Sequence, residues 1–191
     1  KNGLWRAPFV DAPFDARIVR RSNMLHADLG NAPYGTNLNF TEFALLPPES
    51  VAHARALAKQ DKVSPYGQSG VPFDEEQEEL DSEGKHYPLG EGPAIQEMTS
   101  WSGYFLAAES SSGNSVKCSF VGADGYYETS RMAVEAALTL CLDREHLPYR
   151  GGVLTPSTAG GTRLIERVKD SGVKFKLGAW MDSIDLAPPR I

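Results

Sequence analysis

"WSGYFLAAESSSGNSVKCSFVGADGYYETSRMAVEAALTLCLDRE" spans residues 101–145, and its reading sets the fold class of this chain. Two β-prone runs, 101–109 and 115–121, flank Ser110–Asn114, a cluster of turn formers. The spacing predicts a hairpin of an antiparallel or mixed sheet. In the second run Val116, Cys118 and Phe120 alternate with Lys117 and Ser119, so the first set is expected to be buried and the second wet. Gly122–Gly125 then turns the chain into a helix. Its polar residues Arg131, Glu135, Thr139 and Asp143 recur every four, and nearly everything else from Met132 through Leu142 is apolar. So narrow a polar stripe predicts a helix lying deep against a sheet.

Working toward the C-terminus, Thr155 is placed to cap a helix with Pro156 at its first position, running through "STAGGTRLIERVKDSG" to Gly172. "VKFKLGAW" (173–180) follows as a last strand with Val173, Phe175 and Leu177 inward, and "SIDLAPPRI" (183–191) reads as irregular. Working toward the N-terminus, Asp11 or Asp15 can cap a helix reaching Leu25, with Pro13 in its first turn. On helical spacing Phe14, Ile18 and Leu25 share one side, and Arg17, Arg20 and Arg21 another. Residues 30–43 read as turns, and "PPESVAHARALAKQ" (47–60) as a short helix. Residues 61–93 read as a long irregular loop holding the acidic run "FDEEQEELDSEGK" (73–85). Its carboxylates lack a fixed ligand spacing or a glycine-pinned turn, so a solvated face is expected and no metal site. The order of elements predicts a single α+β domain over 1–191, an antiparallel or mixed sheet with helices packed mainly on one face.

The bulk numbers exclude several classes. The chain has 191 residues, 41% hydrophobic and 23% charged, with a formal net charge of −6. That balance argues against a nucleic-acid partner or an anionic membrane surface, which need a summed basic field. No apolar run approaches the roughly 18–20 residues that span a bilayer. Two cysteines, Cys118 and Cys141, are too few for a disulfide framework and are expected as free, buried thiols in a reducing, cytoplasmic compartment, with one bridge between them as the alternative. The opening "KNGLWRAPFVDAP" begins with Lys1 and has no apolar signal region, so the expectation is a piece of a longer chain.

Catalytic motifs are absent. "GEGPAI" (90–95) lacks the third glycine of a dinucleotide fingerprint and carries Pro93 where a helix should begin. "AGGTR" (159–163) falls inside a helical pattern, where close packing explains it better than a phosphate cradle. His26, His53, His86 and His146 form no ligand pair four residues apart. No catalytic constellation is named from spacing.

Five strings in order, "APFVDAPFDARIVRRSNML" (7–25), "PYGTNLNFTEF" (33–43), "GEGP" (90–93), "GADGYYETSRMAVEAALTL" (122–140) and "GGVLTPSTAGGTRLIERVKDSGVKFKL" (151–177), carry a family resemblance. They resemble saccharopine-dehydrogenase-like oxidoreductases, in the branch of trans-acting enoyl reductases. The resemblance implies a second domain with a mixed sheet, which shapes a substrate pocket and contributes to a homodimer. It implies NADP or NAD held mainly by a Rossmann domain absent from this chain, a small-molecule or acyl substrate, and reduction of an enoyl C=C or an imine. The alternative is a non-enzymatic docking or self-association module on the same fold. This sequence departs from the family's usual turn before the long helix, since Tyr126-Tyr127 follow Asp124-Gly125 with no proline.

Seven residues are candidates for substrate binding. Arg17, Arg20 and Arg21 offer planar forks for a phosphate or carboxylate, set against a plain solvated face; Ser22 follows them. Tyr126 and Tyr127 sit after a glycine turn where a phenol could donate a proton, although packing is the commoner role. Trp101 would line an acyl pocket or simply pack.

Overall fold

A computed structural model describes residues 4–9, 11–30, 33–63, 92–148 and 151–178. The acidic run and the tail from residue 183 lie outside the described residues, as does most of the predicted loop. The described residues fall into two compact units, one drawn from Lys1–Glu78 and Val153–Thr158, the other from Glu79–Gly152 and Ala159–Ile191.

The first unit holds strand β1 (Trp5–Ala7), helix α1 (Ala12–Asp28), strand β2 (Ala44–Leu46), a 3-10 turn at Pro48–Ser50 and helix α2 (Val51–Val63). β1 and β2 pair antiparallel, from Trp5 opposite Leu46 to Ala7 opposite Ala44. The Trp5 indole N–H donates to the Pro48 carbonyl at 3.0 Å, and the Arg6 guanidinium lies 4.0 Å from the Phe43 ring centre. α2 packs along β1, and Ala7 and Ala54 are buried. α1 carries Pro13 in its first turn, with Asp15 near its positive end and His26 in its last turn. Asp11 stands at the cap position, yet its carboxylate makes no capping bond. The expected apolar side of α1 is corrected: Phe14 and Ile18 are exposed, and the buried side is built on Ser22 and Leu25. A short polar residue with a local partner can sit inward because its hydroxyl is satisfied there.

The second unit holds a three-stranded antiparallel sheet in the order β3 (Ser102–Glu109), β4 (Ser115–Gly122), β5 (Lys174–Leu177). Every described strand pair is antiparallel, so the chain is an α+β fold, with four helices and two small sheets among the described residues. β3 and β4 run in register from Ser102 opposite Gly122 to Glu109 opposite Ser115. Their hairpin turns at Ser110–Asn114 with Gly113 in left-handed conformation.

The predicted face of β4 is reversed. Ser119 and Val121 are buried, while Val116 is exposed and Cys118 and Phe120 are half-buried. Phe120 stands opposite Tyr104 and Phe175, and Cys118 opposite Leu106 and Leu177. Tyr104, Leu106, Val116 and Leu177 are all exposed, so that face of the sheet is apolar and largely uncovered among the described residues. Leu177, expected inward, is thereby corrected. Cys118 is half-buried and its thiol is pushed up by burial, whereas Cys141 is exposed; both are free.

Helix α3 (Gly125–Leu142) inverts the same way. Its polar stripe is the inward side: Glu128 is 1% exposed, Thr139 0% and Asp143, just beyond the helix, 8%. Its apolar residues Val134 and Leu142 are 57% and 67% exposed. The reason lies in partners. Asp124 caps the helix, accepting from the Tyr126 N–H at 3.0 Å. Glu128 then reaches over Gly122 and accepts the Ala123 N–H at 2.6 Å. A Cβ at Gly122 would sit 2.6 Å from the Glu128 carboxyl carbon, so only glycine leaves room for it.

Helix α4 (Pro156–Asp170) supplies the rest. It starts in the first unit and continues in the second, bending at Gly161. Gly161 has φ +54°, and a Cβ there would meet Pro148 at 2.9 Å. Arg163 Nε lies 3.0 Å from Asp143 Oδ1, and Arg167 bonds Asp143 through Nε and reaches Glu135 at 3.8 Å. A polar stripe can face inward when a facing helix carries its counter-charges. The two arginines, Arg167 first, hold the Asp143 carboxyl below the usual carboxylate range against the opposing effect of burial. α4 ends at Gly172, φ +111°, whose N–H bonds back to the Lys169 carbonyl.

Candidate functional site

The sequence candidates are placed as follows. On α1, Arg17, Arg20 and Arg21 are exposed, and Arg17 stands 5.9 Å from the Phe14 ring centre. Among the described residues no carboxylate pairs with them. Ser22 turns the other way: it is buried, donates to the Ile18 carbonyl at 2.8 Å and shares a hydrogen bond with Thr155 Oγ1 at 2.7 Å. In the second unit Trp101 is exposed, its ring lying over Gly103. Tyr126 is exposed at the start of α3. Tyr127 is half-buried, with the Arg131 guanidinium 4.8 Å from its ring centre, and lines a shallow hollow with Ser130, Arg131, Val134 and Glu135. Within each unit, then, these candidates do not converge on one point.

A different set does converge, in the first unit. On α1, Ser22, Asn23 and His26 are spaced to lie on neighbouring positions of one helix side. Each has a tie to another segment. Ser22 meets Thr155. Asn23 holds Gly35 at both ends, donating Nδ2–H to the carbonyl at 2.8 Å and accepting the Gly35 N–H at 3.1 Å. His26 Nε2 lies 3.0 Å from Ser157 Oγ, and Ser157 Oγ lies 2.6 Å from the Tyr34 hydroxyl. The His26 and Tyr34 rings meet edge to face, 5.4 Å between centres.

The local sequence explains why these side chains hold still. Thr155 and Thr158 close on each other at the start of α4, where the Thr155 N–H donates to Thr158 Oγ1 at 3.0 Å. That bond fixes Ser157 between them. The pair of hydrogen bonds between Asn23 and Gly35 fixes the residue after Tyr34. His26 Nδ1 is buried and has no hydrogen-bond partner among the described residues. Tyr34 is 51% exposed. Chemically this is a hydroxyl, a second hydroxyl and an imidazole in unbroken contact, open at the tyrosine end.

Sequence reading missed His26, Tyr34 and Ser157. The available signal was partial: Ser22 and His26 are four apart on one helix side, and Tyr34 and Ser157 lie in two of the resemblance strings. Nothing in the spacing joins residues 34 and 157, because they stand 123 positions apart in the chain.

A second titratable cluster lies in the first unit. Glu42 lies near Asp15 and Asp11, and its carboxyl is raised to about 7 by burial first, then by Asp15 and Asp11.

The described residues do not make a dinucleotide cradle. The space beside Gly160 and Gly161 is filled by Leu164 and Pro148, and neither glycine lies on a turn from strand to helix. No described helix is long and apolar enough to cross a membrane.

Comparison with known proteins supplies the class of protein. Over 175 residues, 90% of this chain, it is 31% identical to the trans-acting enoyl reductase of Mycobacterium tuberculosis and 30% identical to that of Mycobacterium leprae. The protein of that name from Mycobacterium ulcerans is 28% identical over the same length. The chain spans about 40% of the length of these curated relatives. It is a partial homologue of an oxidoreductase. No family model matches the chain, and no solved structure does.

Proposed function

We propose that this chain is the substrate-binding and dimerisation part of an NAD(P)H-dependent, saccharopine-dehydrogenase-like reductase that saturates an enoyl C=C bond. The observation that carries the reading is the 31% identity to a trans-acting enoyl reductase across 90% of this chain. The nicotinamide cofactor, NADP or NAD, is assigned to the part of the protein that corresponds to the remaining length of those relatives, since the described residues here offer no cradle for it. The acyl substrate is assigned to this chain. The homodimer contact is assigned to the outer face of the β3–β4–β5 sheet, where Tyr104, Leu106, Val116 and Leu177 leave apolar surface in water.

The test uses the product of the whole reading frame that encodes this chain. With an enoyl thioester, it is expected to consume reduced nicotinamide and to release the saturated thioester in equal amount. Consumption that does not depend on the enoyl substrate, or none with either nicotinamide, would leave the alternative of a non-enzymatic docking module.

A further inference from the structure

We propose that Tyr34, Ser157 and His26 form a proton-delivery chain, with the Tyr34 hydroxyl as the catalytic group that meets substrate. The inference rests on the reductase reading above and adds the source of the proton. Ser157 Oγ stands between the Tyr34 hydroxyl at 2.6 Å and His26 Nε2 at 3.0 Å, so a proton can pass along two existing hydrogen bonds without any side chain moving. The outer end is open, because Tyr34 is half exposed, and the inner members are half-buried.

Two features separate this arrangement from ordinary packing. A histidine held for structure alone has both ring nitrogens satisfied. Here Nδ1 is buried with no partner among the described residues, so no second bond fixes the tautomer. The three segments are also pinned independently of the chain itself, by Asn23 on Gly35 and by Thr155 on Ser22 and Thr158. Catalytic side chains need such support to stay within reach of a reacting atom.

Reduction of a conjugated C=C bond adds a hydride at the β-carbon and a proton at the α-carbon. The hydride is left to a dihydronicotinamide, as in the reading above. The proton comes from Tyr34: its O–H bond breaks as the α-carbon–hydrogen bond forms, leaving a phenolate. Ser157 returns a proton to that oxygen and is reprotonated in turn through His26 Nε2, the net proton coming from water. Tyr127, one of the phenols suggested by sequence, instead has the Arg131 guanidinium 4.8 Å from its ring centre.

Two measurements test the proposal. In the first, nitrogen NMR follows the four histidine rings of the 191-residue chain through a pH titration. Ser157→Ala is expected to shift the His26 Nε2 resonance and leave those of the other three rings in place; Tyr34→Phe shifts it by less. An unmoved His26 in both variants overturns the hydrogen-bonded chain. In the second, the whole-frame protein is assayed with an enoyl thioester. Tyr34→Phe is expected to lower kcat about 100-fold with KM within about twofold, the usual size of a general-acid contribution. Ser157→Ala is expected to lower kcat and enlarge the solvent deuterium effect on it. An unchanged kcat in Tyr34→Phe overturns Tyr34 as donor. If the wild type turns nothing over, the reductase reading and the donor role fall together, and the NMR result alone decides whether the chain exists. Circular dichroism of each variant separates these outcomes from misfolding.

Discussion

Exchanging Glu128 for alanine should damage this protein far more than exchanging Val134 for glutamine, the reverse of what the helix pattern alone implies. Glu128 is 1% exposed, accepts the Ala123 N–H at 2.6 Å and lies 3.6 Å from Arg131. Removing it leaves a buried amide unsatisfied, about 1–3 kcal/mol. It also strips Arg131 of its counter-charge in a site that is mostly out of water, so the total should reach about 3 kcal/mol or more. Glu128→Gln, which keeps an acceptor for Ala123, should cost about half as much. Val134 is 57% exposed, so less than half of its apolar surface leaves water on folding. Of the roughly 1.5 kcal/mol for burying a whole valine, at most about 0.6 is at stake. Glutamine returns a few tenths of a kcal/mol through its better helix propensity. The net for Val134→Gln should stay within about 0.5 kcal/mol. Urea unfolding followed by far-ultraviolet circular dichroism, at one protein concentration, gives the three values side by side. If Val134→Gln costs as much as Glu128→Ala, the polar stripe of α3 does not face inward and the reasoning here is refuted.

Other consequences follow from single sites. Glu42, raised to about 7 from 4.5, takes up a proton more readily in the folded state. Its stabilisation is therefore full below about pH 4.5 and is lost as pH rises through about 7. With solvent screening of a partly exposed group, the change should be about 1 kcal/mol; denaturant midpoints should fall between about pH 5 and pH 8 in the wild type and stay level in Glu42→Gln. Gly161→Ala should destabilise by about 2 kcal/mol, because φ +54° is strained for alanine and its Cβ would meet Pro148 at 2.9 Å. Thermal unfolding checks this, and a stabilised variant would count against the bend. If the proposed homodimer forms through the open sheet face, Leu106→Lys should weaken its association at least tenfold while leaving the circular dichroism spectrum intact. Sedimentation velocity reads the change, and an unaltered association constant would count against the proposed contact.

Much of the secondary structure was legible in the residues. Turn formers at Ser110–Asn114 placed the hairpin, Pro13 marked the first turn of α1, the turn at Gly122–Gly125 and Thr155 marked two helix starts, and Gly172 ended α4. These are local effects, decided by backbone preference and by partners within a few residues. The side of each element that turns inward was less legible. Alternation in β4 and the stripe in α3 identify two faces correctly but do not say which is covered. That choice depends on what packs there: Gly122 admits Glu128, and Arg163 and Arg167 from a later helix neutralise Asp143 and Glu135. The acid–base cluster shows the same limit. Local periodicity and turn formers already make this chain α+β, because they act over one or two turns. Only the tertiary structure decided that His26, Ser157 and Tyr34 touch, since that contact closes across more than a hundred residues and no local rule reaches so far.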